Sequence, residues 1–100
     1  DNFYSYPNPV RITGAYDPSV RFRYELGDNV SDVSLSIYSM SGKLLFKDSG
    51  LSTNSGLNEY FLERLDQYGS AVYQCRLAVT SSIGEDVKYW TMAVLRGAQK

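Results

Sequence analysis

At 100 residues, 43% of them apolar, the chain has the size and composition of one globular domain rather than of a disordered segment. A net charge of −1 gives no general attraction to nucleic acid or to an anionic lipid surface. No apolar run is long enough to span a bilayer, and Asp1-Asn2-Phe3-Tyr4 has neither the basic nor the apolar part of a signal peptide. The chain is therefore expected to be cytoplasmic, or a mature or excised part of something larger.

In chain order, residues 1–9 read as a linker leading into the domain, because Pro7 and Pro9 flank Asn8 and force an extended or turning backbone. A short strand follows at Val10-Arg11-Ile12, then a loop over Thr13 to Ser19 marked by Gly14 and Pro18. Val20 to Leu26 is the cleanest strand. Val20, Phe22, Tyr24 and Leu26 point one way, and Arg21, Arg23 and Glu25 the other. Asp32 to Phe46 predicts a hairpin. Val33, Leu35 and Ile37 share one face, Ser41-Gly42 makes the turn, and Leu44 to Phe46 start the return strand. Residues 48–56 form a polar loop. Leu57 to Leu65 fits a helical face or a strand; a strand near Glu59 to Leu62 suits the β surroundings better. After a turn at Asp66 to Ser70, Ala71 to Val79 is a second strong strand, with Tyr73, Cys75, Leu77 and Val79 on one face. Ser81 to Asp86 reads as a hairpin loop. Lys88 to Leu95 is the last strand, and 96–100 a polar tail. About seven short strands and no helix predict an all-β, Ig-like antiparallel sandwich filling 1–100 as a single domain.

Chemistry is sparse. Without histidine there is no Ser-His or Cys-His pair, and the commonest metal ligand is missing. No Gly-rich phosphate loop is present, so no catalytic, cofactor-binding or metal residues are assigned. Asp17, Asp28, Asp32, Asp48, Asp66 and Asp86 are scattered and lack the spacing of a calcium loop. Cys75 reads as a small core residue. Nine tyrosines and one tryptophan raise carbohydrate binding. Tyr24, Tyr73 and Trp90 fall on core faces, leaving Tyr16, Tyr38, Tyr68 and Tyr89 as rings to expose. The Arg21–Arg23 pair reads as a solvated outer face or as a contact for an acidic partner. An exposed edge strand would allow a dimer, but the sequence does not say which strand forms the edge.

Four segments in order carry a resemblance: Tyr6-Pro7-Asn8-Pro9, Val20 to Leu26, the Ile37 to Lys43 centre of the hairpin, and Gly69 to Leu77 ahead of a Val/Met/Leu-rich final strand. Together they resemble the C-terminal sorting domain of the type IX secretion system of Bacteroidetes, and equally the Ig-like module of flagellar hook-capping proteins. The likeness spans nearly the whole chain. It departs where the family has Gly and this chain has Ala71, and where Tyr60-Phe61-Leu62 replaces a Trp-Asp-Gly. The chain also runs on past the last strand to Lys100.

The resemblance implies a non-catalytic module at the end of a larger protein, read by the secretion machinery and either cleaved or retained. It implies passage through the periplasm to the outer-membrane surface or the medium. The expected contacts are Pro7, Asn8 and Pro9, the Gly42-Lys43 turn, Val72 and Tyr73 at the start of their strand, and Lys88 and Arg96 on the final one. Read from the residues alone, Pro7-Asn8-Pro9 is first a rigid domain start and Gly42 first a requirement of turn geometry, with recognition the second reading of each. Expected partners are the sorting machinery or the parent protein's preceding domain, with no nucleic acid, membrane insertion, cofactor or small-molecule substrate. A retained structural module, packing on a catalytic domain or mediating assembly, is the alternative, and carbohydrate binding a third reading.

Overall fold

The computed structural model describes residues 2–13, 19–63, 65 and 68–97. Eight strands follow one another: β1 Phe3–Tyr6, β2 Val10–Ile12, β3 Val20–Leu26, β4 Val30–Ser39, β5 Leu44–Asp48, β6 Gly56–Leu62, β7 Ala71–Ser81 and β8 Gly84–Arg96. They form a three-stranded sheet, β1-β3-β6, facing a five-stranded sheet, β2-β8-β7-β4-β5. All pairings are antiparallel except β2 with β8, which run parallel. This is the sandwich arrangement of immunoglobulin-like domains.

Alternation builds it. In β3, Val20, Phe22, Tyr24 and Leu26 are buried while Arg21 and Glu25 are exposed. Val33, Leu35 and Ile37 of β4, and Tyr73, Cys75, Leu77 and Val79 of β7, supply the opposing layer. At about 25 cal/mol per Å² of apolar area removed from water, this layer is the main source of stability. One corner is fixed by hydrogen bonding. Two residues before Cys75, the Tyr73 hydroxyl donates to the Gly69 carbonyl at 2.8 Å. That is the tyrosine corner of immunoglobulin-like folds. The Tyr68 ring meets Tyr73 edge-on, with centroids 5.2 Å apart.

The polar loop after β5 is pinned rather than free. Leu51 is buried, the Tyr24 hydroxyl donates to the Ser52 carbonyl at 2.9 Å, and Ser52 Oγ donates to Asn58 Oδ1 at 2.8 Å. The amide of Asn58 in turn reaches the Asn54 and Gly56 carbonyls. A buried polar side chain is tolerable only with its partners in place, and Asn58 has them.

Several expectations are corrected. The leading segment 1–9 is not simply a linker, because Phe3–Tyr6 pairs with β3 over Phe3↔Tyr24 to Tyr6↔Arg21. The described residues form eight strands instead of about seven, and the parallel β2–β8 pair departs from a purely antiparallel arrangement. The loop expected over Ser81 to Asp86 shrinks to Ser82 and Ile83, since the β7–β8 ladder runs through Ser81↔Gly84. Arg96 belongs to β8 and not to the tail. Tyr68 is fully buried, not exposed. Tyr16, Asp17, Asp66 and the tail residues 98–100 lie outside the described residues.

Candidate functional site

The β4–β5 turn is built by its own sequence. Gly42 N–H donates to the Ser39 carbonyl and Ser39 N–H to the Lys43 carbonyl, each at 2.9 Å. Ser39 Oγ accepts from Lys43 N–H at 3.1 Å and bonds Ser41 Oγ at 2.9 Å. Gly42 sits at φ 95°, where a side chain would be strained. The turn thereby holds up a shallow pocket of about 270 Å³ lined by Tyr38, Ser39, Met40, Gly42 and Gln74. Met40 and Leu44 project into solvent beside it. Unbranched, polarisable methionine adapts to varied apolar surfaces, which suits a docking rim.

The register gathers most of the expected contact residues at this end of the five-stranded sheet. Ser39 is opposite Tyr73, Tyr73 opposite Met92, and Val72 opposite Ala93. Val72 is exposed on the outer face, whereas Tyr73 is buried in its corner. Asn8 lies against the same stretch of β8. Its Oδ1 accepts from Ala93 N–H at 2.9 Å and its amide reaches the Thr91 carbonyl at 3.3 Å. The peptide bonds before Pro7 and Pro9 are both cis. Arg96 is occupied by the fold, with Nε and Nη2 donating to the carbonyls of Tyr68 and Leu65 at 2.7 and 2.6 Å. Lys88 lies apart, opposite Leu77 and 3.5 Å from Asp86. Thus Gly42, Lys43, Val72 and Asn8 share one end, Tyr73 and Arg96 serve that end structurally, and Lys88 is not part of it.

A second surface escapes reading along a single strand. On the outer face of the three-stranded sheet, Tyr6, Arg21 and Phe61 form one cross-strand row, and Tyr4, Arg23 and Glu59 the next. The Arg21 guanidinium lies 5.0 Å from the Phe61 ring centre and 5.8 Å from that of Tyr6. Arg23 Nε donates to Glu59 Oε2 at 2.7 Å, and the Tyr6 hydroxyl donates to the same oxygen. Hydrogen bonds from Arg23 and then Tyr6 hold the Glu59 carboxyl below its usual range. Bonds to Tyr4 and Glu59 push Arg23 up. The Tyr4 and Tyr6 rings are tilted by 34° and so do not form the flat platform that sugar stacking prefers. Only strand register, which the sequence does not state, brings these rows together.

Elsewhere the chemistry is structural. Burial pushes the Cys75 thiol up to about 12, so it stays protonated at neutral pH. Burial, and then the bond to Asp48 at 2.8 Å, raises the Tyr60 phenol. Among the described residues, no group of three or more His, Cys, Asp or Glu could hold a metal ion.

No protein-family model and no curated protein matches the sequence. Among solved structures, the chain is similar to CopC from Methylosinus trichosporium OB3b, with a TM-score of 0.58 over 94% of this chain and 91% of that one. The fold is an all-β sandwich. At 21% identity the likeness extends to the architecture and no further.

Proposed function

We infer that this domain is a non-catalytic C-terminal sorting module of the type IX secretion kind, recognised as a folded unit on the way to the cell surface. The observation that carries the reading is where the motif-bearing segments fall. Asn8, the Ser39–Lys43 turn and the start of β7 lie along one end of the five-stranded sheet, next to the Met40 pocket. Recognition there would use Met40, Leu44 and Val72 as apolar contacts and Lys43 as a charge at the rim. The carrier would be exported through the periplasm and delivered to the outer surface or the medium.

Fusing residues 1–100 to the C-terminus of a periplasmic fluorescent protein tests this in a Bacteroidetes host. Surface or medium fluorescence is expected with an intact type IX system and not in a translocon mutant. Periplasmic retention of the folded fusion in both hosts overturns the reading. It would favour a retained module, for which the Tyr6–Arg21–Phe61 row is the specific support. Tyrosine, arginine and phenylalanine are enriched where proteins dock, and Phe61 is 45% exposed.

A further inference from the structure

Among the described residues, part of the outer edge of β8 has no partner strand, and three hydrogen bonds locate it. Ala93 N–H and the Thr91 carbonyl meet Asn8, and Gly97 N–H meets the Ile12 carbonyl. Odd-numbered residues of β8 therefore direct their backbone groups away from β7. Strand β2 pairs only with Val94 to Arg96, and Asn8 covers Thr91 to Ala93. Below that point, Glu85, Val87 and Tyr89 present N–H and C=O groups that no strand of the sandwich pairs. Such an edge is a template for another strand.

We propose that this edge pairs with a second copy of the chain, Glu85–Tyr89 of each running antiparallel about Val87, so that two five-stranded sheets join into one. The pairing goes beyond the sorting reading and does not depend on it. Its occupant is argued from charge. With Val87 opposite itself, Asp86 of one copy faces the partner's Lys88, and Lys88 faces the partner's Asp86. Opposed residues lie on the same face of a sheet, so both opposite-charge contacts form at once. Shifting the centre to Lys88 sets lysine against lysine, and shifting it to Asp86 sets aspartate against aspartate. Both neighbouring registers are thereby penalised. A lysine near an edge ordinarily repels incoming strands. Here it admits the one strand that carries an aspartate two residues earlier.

The other edges lack this complementarity. In β6, the register centred on Glu59 places two glutamates opposite each other. In β5, the register centred on Phe46 sets Lys47 against leucine. Strand β2 carries only Arg11, which cannot meet an unlike charge on a second β2, and β1 carries no charge at all. The β8 contact would be isologous, closing on a two-fold axis without leading to fibres.

Sedimentation of the 100-residue chain over a wide concentration range reads the proposal directly. The average mass is expected to climb from the 11.3 kDa of one chain towards twice that value. Lys88→Asp opposes carboxylates at both ends and should raise the dimer Kd about tenfold or more. Adding Asp86→Lys to that variant reverses the pattern and should restore dimerisation. Val87→Pro deletes a donor that faces the edge while leaving the β7–β8 bonds, and should give a monomer. If that variant fails to fold, the charge pair decides alone. A chain that stays monomeric throughout, or a dimer equally tight in Lys88→Asp and in the double variant, overturns the proposal.

Discussion

Tyr73 shows how one atom holds a corner of the sandwich. Its ring is buried against Tyr68, and its hydroxyl donates to the Gly69 carbonyl. Tyr73→Phe keeps the ring and removes only the donor. The loss is expected to be about 1 kcal/mol, seen as a lower urea midpoint with an unchanged slope. The same residue was readable only in part. Alternation along β7 correctly places Tyr73 inside, but the resemblance also offers it to a partner. A buried ring whose hydroxyl is spent on Gly69 has little left to present. Arg96 is similar. Read as the start of a polar tail, it instead holds the carbonyls of Leu65 and Tyr68, which no local pattern brings near it.

At the scale of elements, the strongly alternating segments were legible and the weakly patterned ones were not. Val20 to Leu26 matches β3 residue for residue, because alternation between apolar and charged residues has a single β solution. Phe3-Tyr4-Ser5-Tyr6 shows no such contrast, since rings stand on both faces and prolines follow. It becomes a strand only by pairing with β3. Gly42 was legible because a tight hairpin demands its φ, whereas the Met40 pocket beside it depends on Gln74 from β7. Asn8 acts as a side-chain substitute for a strand, closing the β8 edge where β2 begins. Asn8→Ala should lose about 1–2 kcal/mol of local protection. The check is amide exchange: the Ala93 amide should speed up, while that of Leu77 in the sheet centre should barely change.

For the whole molecule, Cys75 is a built-in reporter. It lies on β7, a central strand of the five-stranded sheet, and is wholly buried. With its thiol pushed up to about 12, it is both shielded and protonated near neutrality. A soluble disulfide reagent at mild pH is therefore expected to label it only as fast as the domain opens. Denaturant should accelerate labelling in step with unfolding. Labelling at the speed of a free thiol in the native protein would contradict the packing described here. The raised value also has a sign. The thiol adds nothing to the pH dependence below its ordinary range near 9. Above that, stability falls towards about 12, because the unfolded chain loses its proton first.

The parallel β2–β8 pair has a mechanical meaning. β2 comes early in the chain and β8 near its end, and the two lie side by side in the same direction. Tension that reaches β2 through β1 at one end, and β8 at the other, pulls these two strands past each other. Their bonds are then strained together rather than peeled apart one by one. A module that tethers or tows a larger body would gain resistance to pulling from that geometry, at the place where the chain feels the force.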